Sequence, residues 1–373
     1  MTSSLGNERK VLVLAPSLDG IGGVQNYIRT LVEALRDVLG DDRVRMVVVP
    51  EEAKARLDAP PALGTSAKVR FFVSAVSVAI SWRPDLVICA HVGVAPVGRL
   101  IQRFVGIPYW AILYGIEVWG DLSSAKRDAL RDAARLVAIT RFTLETTIKR
   151  HGLGESPTVI LPPTLSRKDT PSPITNDHTS PELQRPSVLT VGRMAASERY
   201  KGHDVMLEAW PSVLRSVPEA EYWIVGDGDD RSRLESRAHE LGITDSLHFA
   251  GSVSPEELSV CYDRCSVFAM PARTELDGQV PRGEGFGIVF LEAMVRGKPV
   301  IGPSTGAPAE FIVSGEHGLL VDPTDPGKVA EALVDLLRDP ARARRMGDAA
   351  KESVAREFSF ERFCERLRAA LRP

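Results

Sequence analysis

No apolar run in this sequence approaches the roughly 20 residues needed to span a bilayer, so nothing in it reads as a transmembrane segment. The opening MTSSLGNERKVLVLAP passes from a polar tail straight into an apolar strand. It lacks the longer hydrophobic region and cleavage pattern of a secretory signal, and a cytoplasmic protein is expected. Cysteine is scarce: Cys89, Cys261, Cys265 and Cys364 show no zinc-type pairing. Cys261 and Cys265 fit one face of a helix better than a metal knuckle, so reduced core thiols are expected. One-sided charge is absent too. The net charge is −3, with 25% charged and 44% hydrophobic residues, an ordinary balance for a globular chain, and no nucleic-acid partner is expected.

The small net charge hides an asymmetry. Residues up to Arg185 carry 23 basic against 19 acidic side chains, and the remainder carry 23 against 30. In the basic half, Lys68-Val69-Arg70-Phe71-Phe72 leads through an apolar run to Trp82-Arg83. It reads either as a helix lying on an anionic membrane surface or as a core helix with a basic edge. The run is apolar nearly all round and an interfacial helix needs a polar face, which favours the core helix. Peripheral membrane contact through the basic N-terminal domain, at the inner face of the membrane, stays open as a second expectation.

With 373 residues the chain has room for two domains with substantial cores. Apolar strand-like runs alternate with helical stretches: Lys10 to Pro16, helix Val24 to Leu39, Val44 to Val49, helix Val69 to Trp82, then Asp85 to Ala90, Tyr109 to Leu113 and Leu136 to Ile139. Between Ser166 and Ser187 the composition turns to Pro, Ser and Thr, as a linker or long loop would. Alternation restarts at Val188 to Val191 and continues through Tyr222 to Val225, Leu247 to Phe249, Val267 to Met270 and Pro299 to Ile301. The pattern predicts an α/β chain of two doubly wound, Rossmann-like parallel-sheet domains. The expected division is 1–170, a linker at 171–187, a second domain at 188–355, and a C-terminal amphipathic helix at 356–373, which on its pattern alone reads as a surface helix of the second domain. Its apolar face would be Phe358, Phe360, Phe363 and Leu367. In open α/β sheets ligands sit beyond the carboxyl ends of the strands, so the cleft between two such domains is where a site is expected.

The densest constellation is PRGEGFGIVFLEAMVRGKP, residues 281–299. Glu284 and the turn Gly285-Phe286-Gly287 precede an apolar helix, Ile288 to Val295, which carries Glu292. A helix start framed by glycines attracts phosphate or sugar hydroxyls; an acidic loop before a helix with a solvated Glu292 is the plainer reading. Gly22-Gly23, after the first strand, would let the backbone turn beside a phosphate, although a plain tight turn reads equally well. Gly192-Arg193 closes the first strand of the second half, and Lys201-Gly202 heads the helix His203 to Leu214. Two cations so placed could converge on a diphosphate. Asp227 and Asp229 do not make a metal pair, since Gly226-Asp227-Gly228 reads as a tight turn without a third ligand. His91, alone among the seven histidines, follows a buried strand and is a cleft candidate beside its plainer structural reading.

In their order and spacing, Gly22-Gly23-Val24, Val191-Gly192-Arg193 with Lys201-Gly202, Val225-Gly226-Asp227-Gly228, and Glu284-Gly285-Phe286-Gly287 with Glu292-Ala293 resemble the motifs of retaining GT-B glycosyltransferases of family 4. Gly306 to Glu310 and Gly318 to Val321 match a further strand-and-turn pattern of that family. The resemblance implies the GT-B fold, its domains facing across a cleft, the C-terminal helix at 356–373 packing back toward the first domain, and no cofactor beyond a nucleotide-diphosphate sugar as co-substrate. By similarity the second domain would hold the donor and the first a carbohydrate or lipid-linked acceptor. Arg193 and Lys201 would stabilise the departing diphosphate without a metal, and Glu284 with the amides of Gly285, Phe286, Gly287 and Ile288 would hold sugar and diphosphate. Glu292 would take the ribose, and the backbone about Val253 would face the base. One position departs from the family: its His-Gly-x-Asp/Glu motif reads here Tyr114-Gly115-Ile116-Glu117. A phenol can donate a hydrogen bond to a sugar but cannot act as a base at neutral pH, which leaves Tyr114 and Glu117 as cleft candidates. A nucleotide-sugar epimerase of similar architecture and a non-catalytic sugar-nucleotide-binding subunit are the rival readings.

Overall fold

The structure, a computed structural model, describes residues 9–16, 18, 22–50, 65–154, 156–165, 185–277 and 280–372. It divides into two compact units, Met1–Thr164 with Phe360–Pro373, and Leu165–Ser359. The expected linker, apart from its last residues, lies outside the described residues, as do Asp19, Gly20 and Ile21 of the first glycine turn.

Unit 1 is built on strands β1 (Val11–Ala15), β2 (Val44–Val48), β3 (Leu86–Cys89), β4 (Tyr109–Leu113), β5 (Arg135–Ala138) and β6 (Thr158–Ile160). They form one parallel sheet in the order β2-β1-β3-β4-β5-β6. Between them run α1 (Gly23–Leu39), α2 (Thr65–Trp82), α3 (Ala95–Val105), α4 (Ile116–Trp119), α5 (Ser124–Arg131) and α6 (Arg141–His151). β1 and β4 are buried along their whole length, as unbroken apolar strands must be when helices cover both faces. α1 buries Tyr27, Ile28, Leu31, Leu35 and Val38, the three-and-four spacing of an amphipathic helix. The last helix of the chain also belongs to this unit. It spans Phe360–Ala370 and buries Phe363 and Leu367, with Phe363 edge-on to Tyr27 at 5.8 Å.

The core-helix expectation for the run Lys68 to Arg83 is met on one face of α2 only. Ala67, Phe71, Ala75 and Ala79 are buried, whereas Val69, Phe72, Val73 and Ile80 are exposed. The buried face is mostly alanine because the helix lies close on the sheet, which leaves the larger side chains outside.

Unit 2 contains β7 (Ser187–Val191), β8 (Glu221–Val225), β9 (Leu247–Gly251), β10 (Val267–Ala269), the hairpin β11 (Glu275–Asp277) and β12 (Val280–Arg282), then β13 (Val300–Pro303) and β14 (Gly318–Val321). Its main sheet, parallel throughout, has the order β14-β13-β10-β7-β8-β9. Renumbered within the unit and read from the β9 edge, that is the 3-2-1-4-5-6 order of dinucleotide-binding folds. Helices α7 (His203–Ser216), α8 (Arg231–Glu240), α9 (Pro255–Arg264), α10 (Ile288–Met294), α11 (Pro326–Arg338) and α12 (Pro340–Glu357) connect and cover it. The strand order reverses between β1 and β3 in unit 1 and between β7 and β10 in unit 2. At each reversal adjacent loops leave in opposite directions, which opens a crevice at the carboxyl edge.

Candidate active site

At the crevice of unit 2, the chain leaves β7 through Gly192-Arg193 and crosses a 3-10 turn, Ala196–Lys201, into α7. Two glycines make this crossing possible. Gly226 has φ +132, and a Cβ there would lie 2.1 Å from the Gly192 carbonyl oxygen. Gly202 has φ +88, and its Cβ would lie 2.4 Å from the Pro271 carbonyl oxygen. Both conformations are ones that L side chains rarely adopt. The Gly-Asp-Gly turn is thus a backbone bed for the Gly192 loop. Its carboxylates are used locally: Asp227 accepts from the Gly228 amide at 2.8 Å and Asp229 from the Ala196 amide at 2.8 Å. The 3-10 turn is fastened on both sides, by Arg199 to Asp230 at 2.6 Å and by the Arg273 amide to the Tyr200 carbonyl at 2.7 Å.

This bracing brings Lys201 against Glu284, Nζ to Oε1 at 2.6 Å, with each side chain 15% exposed. Burial alone would lower the Lys201 pKa. The charge of Glu284, the hydrogen bond to it and the charge of Glu198 outweigh burial, so the ammonium is held above its ordinary range. Arg193, 75% exposed, pairs with Glu198, whose second oxygen lies 3.7 Å from Lys201 Nζ. Arg193, Lys201 and Glu284 are therefore joined in one chain of ion pairs through Glu198, a residue that sequence reasoning missed. It stands in an unremarkable Ala-Ala-Ser-Glu stretch, and its only sequence signal is a carboxylate between two cations. His203 was also passed over. It is buried at the start of α7, beside Gly192, where an added Cβ would lie 3.8 Å from its Nε2. Burial pushes its pKa down to about 4.

The other donor-side candidates are placed variously. Gly287 caps α10, which has only seven residues. Phe286 is buried and stacked on Phe311 at 4.7 Å, so its ring serves the core. Glu292 is engaged elsewhere, where its Oε2 accepts from the Tyr262 hydroxyl at 2.7 Å. Val253 is half-buried in the loop before the Ser254–Glu257 capping box of α9.

In unit 1 the corresponding crevice receives Gly22 and Gly23, His91 and Tyr114. Gly22 precedes α1 without a side-chain cap, and a Cβ on Gly23 would meet nothing within 4 Å. Among the described residues, packing does not demand glycine at position 23. Tyr114 is buried, and its hydroxyl is already committed, donating to the Ala90 carbonyl at 2.9 Å. Its ring stands edge-on to Tyr27 at 5.3 Å. The Tyr114 phenol thus stoppers the strand ends and has no proton left to offer a sugar. Glu117 turns back to accept from the Tyr114 amide at 2.6 Å, and burial raises its pKa. His91 lies alongside Tyr114, ring centroids 6.3 Å apart. Its Nδ1 accepts from the Gly93 amide at 2.9 Å, which leaves Nε2 as the protonated, donating nitrogen. Burial, then the charge of Lys126, lowers its pKa to about 4.

Two units of parallel sheet with this strand order define a two-domain α/β protein of the GT-B architecture. Residues 175–353 match the family described as "Glycosyl transferases group 1". A GDP-mannose-dependent alpha-(1-6)-phosphatidylinositol monomannoside mannosyltransferase of Mycolicibacterium smegmatis is 31% identical over 270 residues, 69% of this chain and 68% of that protein. The protein of the same name from Mycobacterium tuberculosis is 37% identical over 189 residues, 51% of this chain. The chain spans about half the length of that relative, 48%. Among solved structures, that of Anabaena Alr3699/HepE in complex with UDP superposes with a TM-score of 0.73 at 18% identity, covering 97% of this chain and 99% of the other. The chain belongs to the group 1 glycosyltransferase family.

Proposed function

We propose that the protein is a retaining hexosyltransferase of glycosyltransferase family 4. It moves a hexose from a UDP- or GDP-linked sugar to a hydroxyl of a carbohydrate or lipid-linked acceptor, in the cytoplasm and without a metal ion. The observation that carries this reading is the meeting of Arg193, Lys201 and Glu284 about Glu198 at the strand-order reversal of unit 2. In the reaction the anomeric C–O bond to the diphosphate breaks as the acceptor oxygen arrives on the same face, and the leaving phosphate oxygen takes the acceptor proton. Lys201 and Arg193 neutralise the charge that develops on the diphosphate, the part a divalent cation plays in other transferases. Glu284 sits where the donor sugar would lie and Glu292 holds the ribose. Within unit 1, His91, with a neutral donating imidazole, is the group left to hydrogen-bond a sugar hydroxyl, since the Tyr114 hydroxyl is spent on Ala90.

The names of the relatives favour GDP-mannose and an inositol glycolipid, and a lipid-linked acceptor requires approach to a membrane. No described helix is long and apolar enough to cross one. α2 and α3 supply a surface suited to lying on it. On α2 the exposed Val69, Phe72, Val73 and Ile80 fall on one stripe. α3 lies against both α2 and α5; its Arg99 pairs with Asp128 and Asp132, and its Leu100 and Phe104 are exposed, the latter 77%. Besides Arg99, whose charge Asp128 and Asp132 meet, the two helices carry Lys68, Arg70 and Arg103 and no acidic residue. Apolar side chains ringed by cations match an anionic lipid surface.

Incubation with a panel of GDP- and UDP-hexoses and vesicles containing phosphatidylinositol glycolipids tests the reading. Transfer with an α-configured product in the presence of a chelator is expected. An inverted anomer, abolition by chelator, or sugar-nucleotide conversion without any acceptor would each overturn the corresponding part. Phe104→Asp should reduce sedimentation with anionic vesicles severalfold while transfer to a soluble acceptor persists.

A further inference from the structure

The four charged groups at the unit 2 crevice, Arg193, Lys201, Glu198 and Glu284, cancel one another. An arriving diphosphate therefore meets two cations already compensated. Glu284 pairs with Lys201 alone of the two cations named here, but Glu198 spans both: one oxygen pairs with Arg193 and the other stands 3.7 Å from Lys201. That second oxygen is buried and accepts no hydrogen bond among the described residues. The Glu198 carboxylate thus occupies the position between guanidinium and ammonium that a phosphate group would bridge. The residues around it are tied down, Ala196 to Asp229, Arg199 to Asp230 and Tyr200 to Arg273. The regular backbone of the turn breaks at Glu198 itself, at φ −122 and ψ 26. The Glu198 side chain can leave without unravelling the turn that carries Lys201.

We propose that Glu198 is the internal counter-anion of the donor site, occupying the diphosphate position in the empty enzyme, displaced when the donor binds, and returning to expel the nucleoside diphosphate after transfer. The proposal rests on the donor-site reading of Arg193 and Lys201 and adds to it a competitor built into the same turn. Two like charges cannot share the pair of cations, so the carboxylate weakens donor and product together and hastens product departure. While it stays in place, it also keeps the two cations from repelling each other.

Isothermal titration of the full chain with GDP and with UDP, beside steady-state kinetics, tests this. Glu198→Gln keeps the shape and removes the charge. It should tighten the preferred nucleoside diphosphate about tenfold, lower the donor KM, and lower kcat as product release slows. Glu198→Asp keeps the charge on a shorter arm and should fall between wild type and Glu198→Gln. Unchanged or weaker nucleotide binding in a folded Glu198→Gln protein, with Lys201→Ala losing it, would overturn the counter-anion and leave the donor site standing. Wild-type protein that binds neither nucleotide, or Lys201→Ala that binds as well as wild type, would overturn the donor-site reading and the proposal with it.

Discussion

At the crevice of unit 1 the strand ends are closed by rings, Tyr27 and Tyr114, whose hydroxyls donate to the Leu161 and Ala90 carbonyls. At the crevice of unit 2 they are closed by charges, Lys201 and Arg193 held by Glu284 and Glu198. The backbone device is the same in both: a parallel sheet whose order reverses, with loops splayed at the carboxyl edge. The difference teaches that the fold supplies the place and the side chains supply the specificity. A stoppered apolar crevice offers a few fixed donors such as His91, whereas a charged one can take hold of a diphosphate.

The comparison breaks most visibly at Lys201. Lys201→Ala should lower the single-turnover transfer rate by on the order of 10² or more, since it removes charge stabilisation from the leaving group. A rate within a few-fold of wild type would show that the unit 2 cluster is structural. Next comes pH. His91 and His203, one in each unit, are pushed by burial from about 6.5 to about 4. Their folded forms refuse a proton that the unfolded chain accepts. Stability is therefore full above pH 6.5 and declines as pH falls toward 4, by about 2 kcal/mol per histidine at pH 5. Urea melts at pH 7 and pH 5 should show this, with His91→Phe and His203→Phe each removing its own share; an undiminished slope in either variant would contradict the burial argument. The smallest effect is expected of Tyr114→Phe. Loss of the buried hydroxyl leaves the Ala90 carbonyl unsatisfied, at a cost of about 1 kcal/mol, and should lower Tm by a few degrees while the turnover rate stays near wild type. A large fall in turnover without a change in Tm would place the phenol on the substrate after all.

Elements buried on both faces were the most legible. Tyr109 to Leu113 is a continuous apolar run because helices cover it above and below, and its limits in the structure are those read from the sequence. β6 escaped notice because its three residues at the sheet edge are only partly buried. The β11–β12 hairpin escaped because Pro281 interrupts its second strand and each strand is only three residues long. In the site, Lys201 and Glu284 were readable because each sits at a strand-end or helix-start punctuation. Glu198 was not, since nothing in a pattern of neighbours says that a 3-10 turn will fold one carboxylate back between two cations. Tyr114 was legible as a departure from a family pattern, and the burial of its hydroxyl depends on a carbonyl 24 positions away.

The return of the final helix to unit 1 sets an order of assembly. Phe363 and Leu367, which complete the packing beside Tyr27 and Leu31, leave the ribosome only after all of unit 2 has been made. The first half of the chain must wait with the part of its sheet beside α1 uncovered while the second half closes on its own core. Nascent unit 1 is therefore the stage at which this protein has most need of a chaperone.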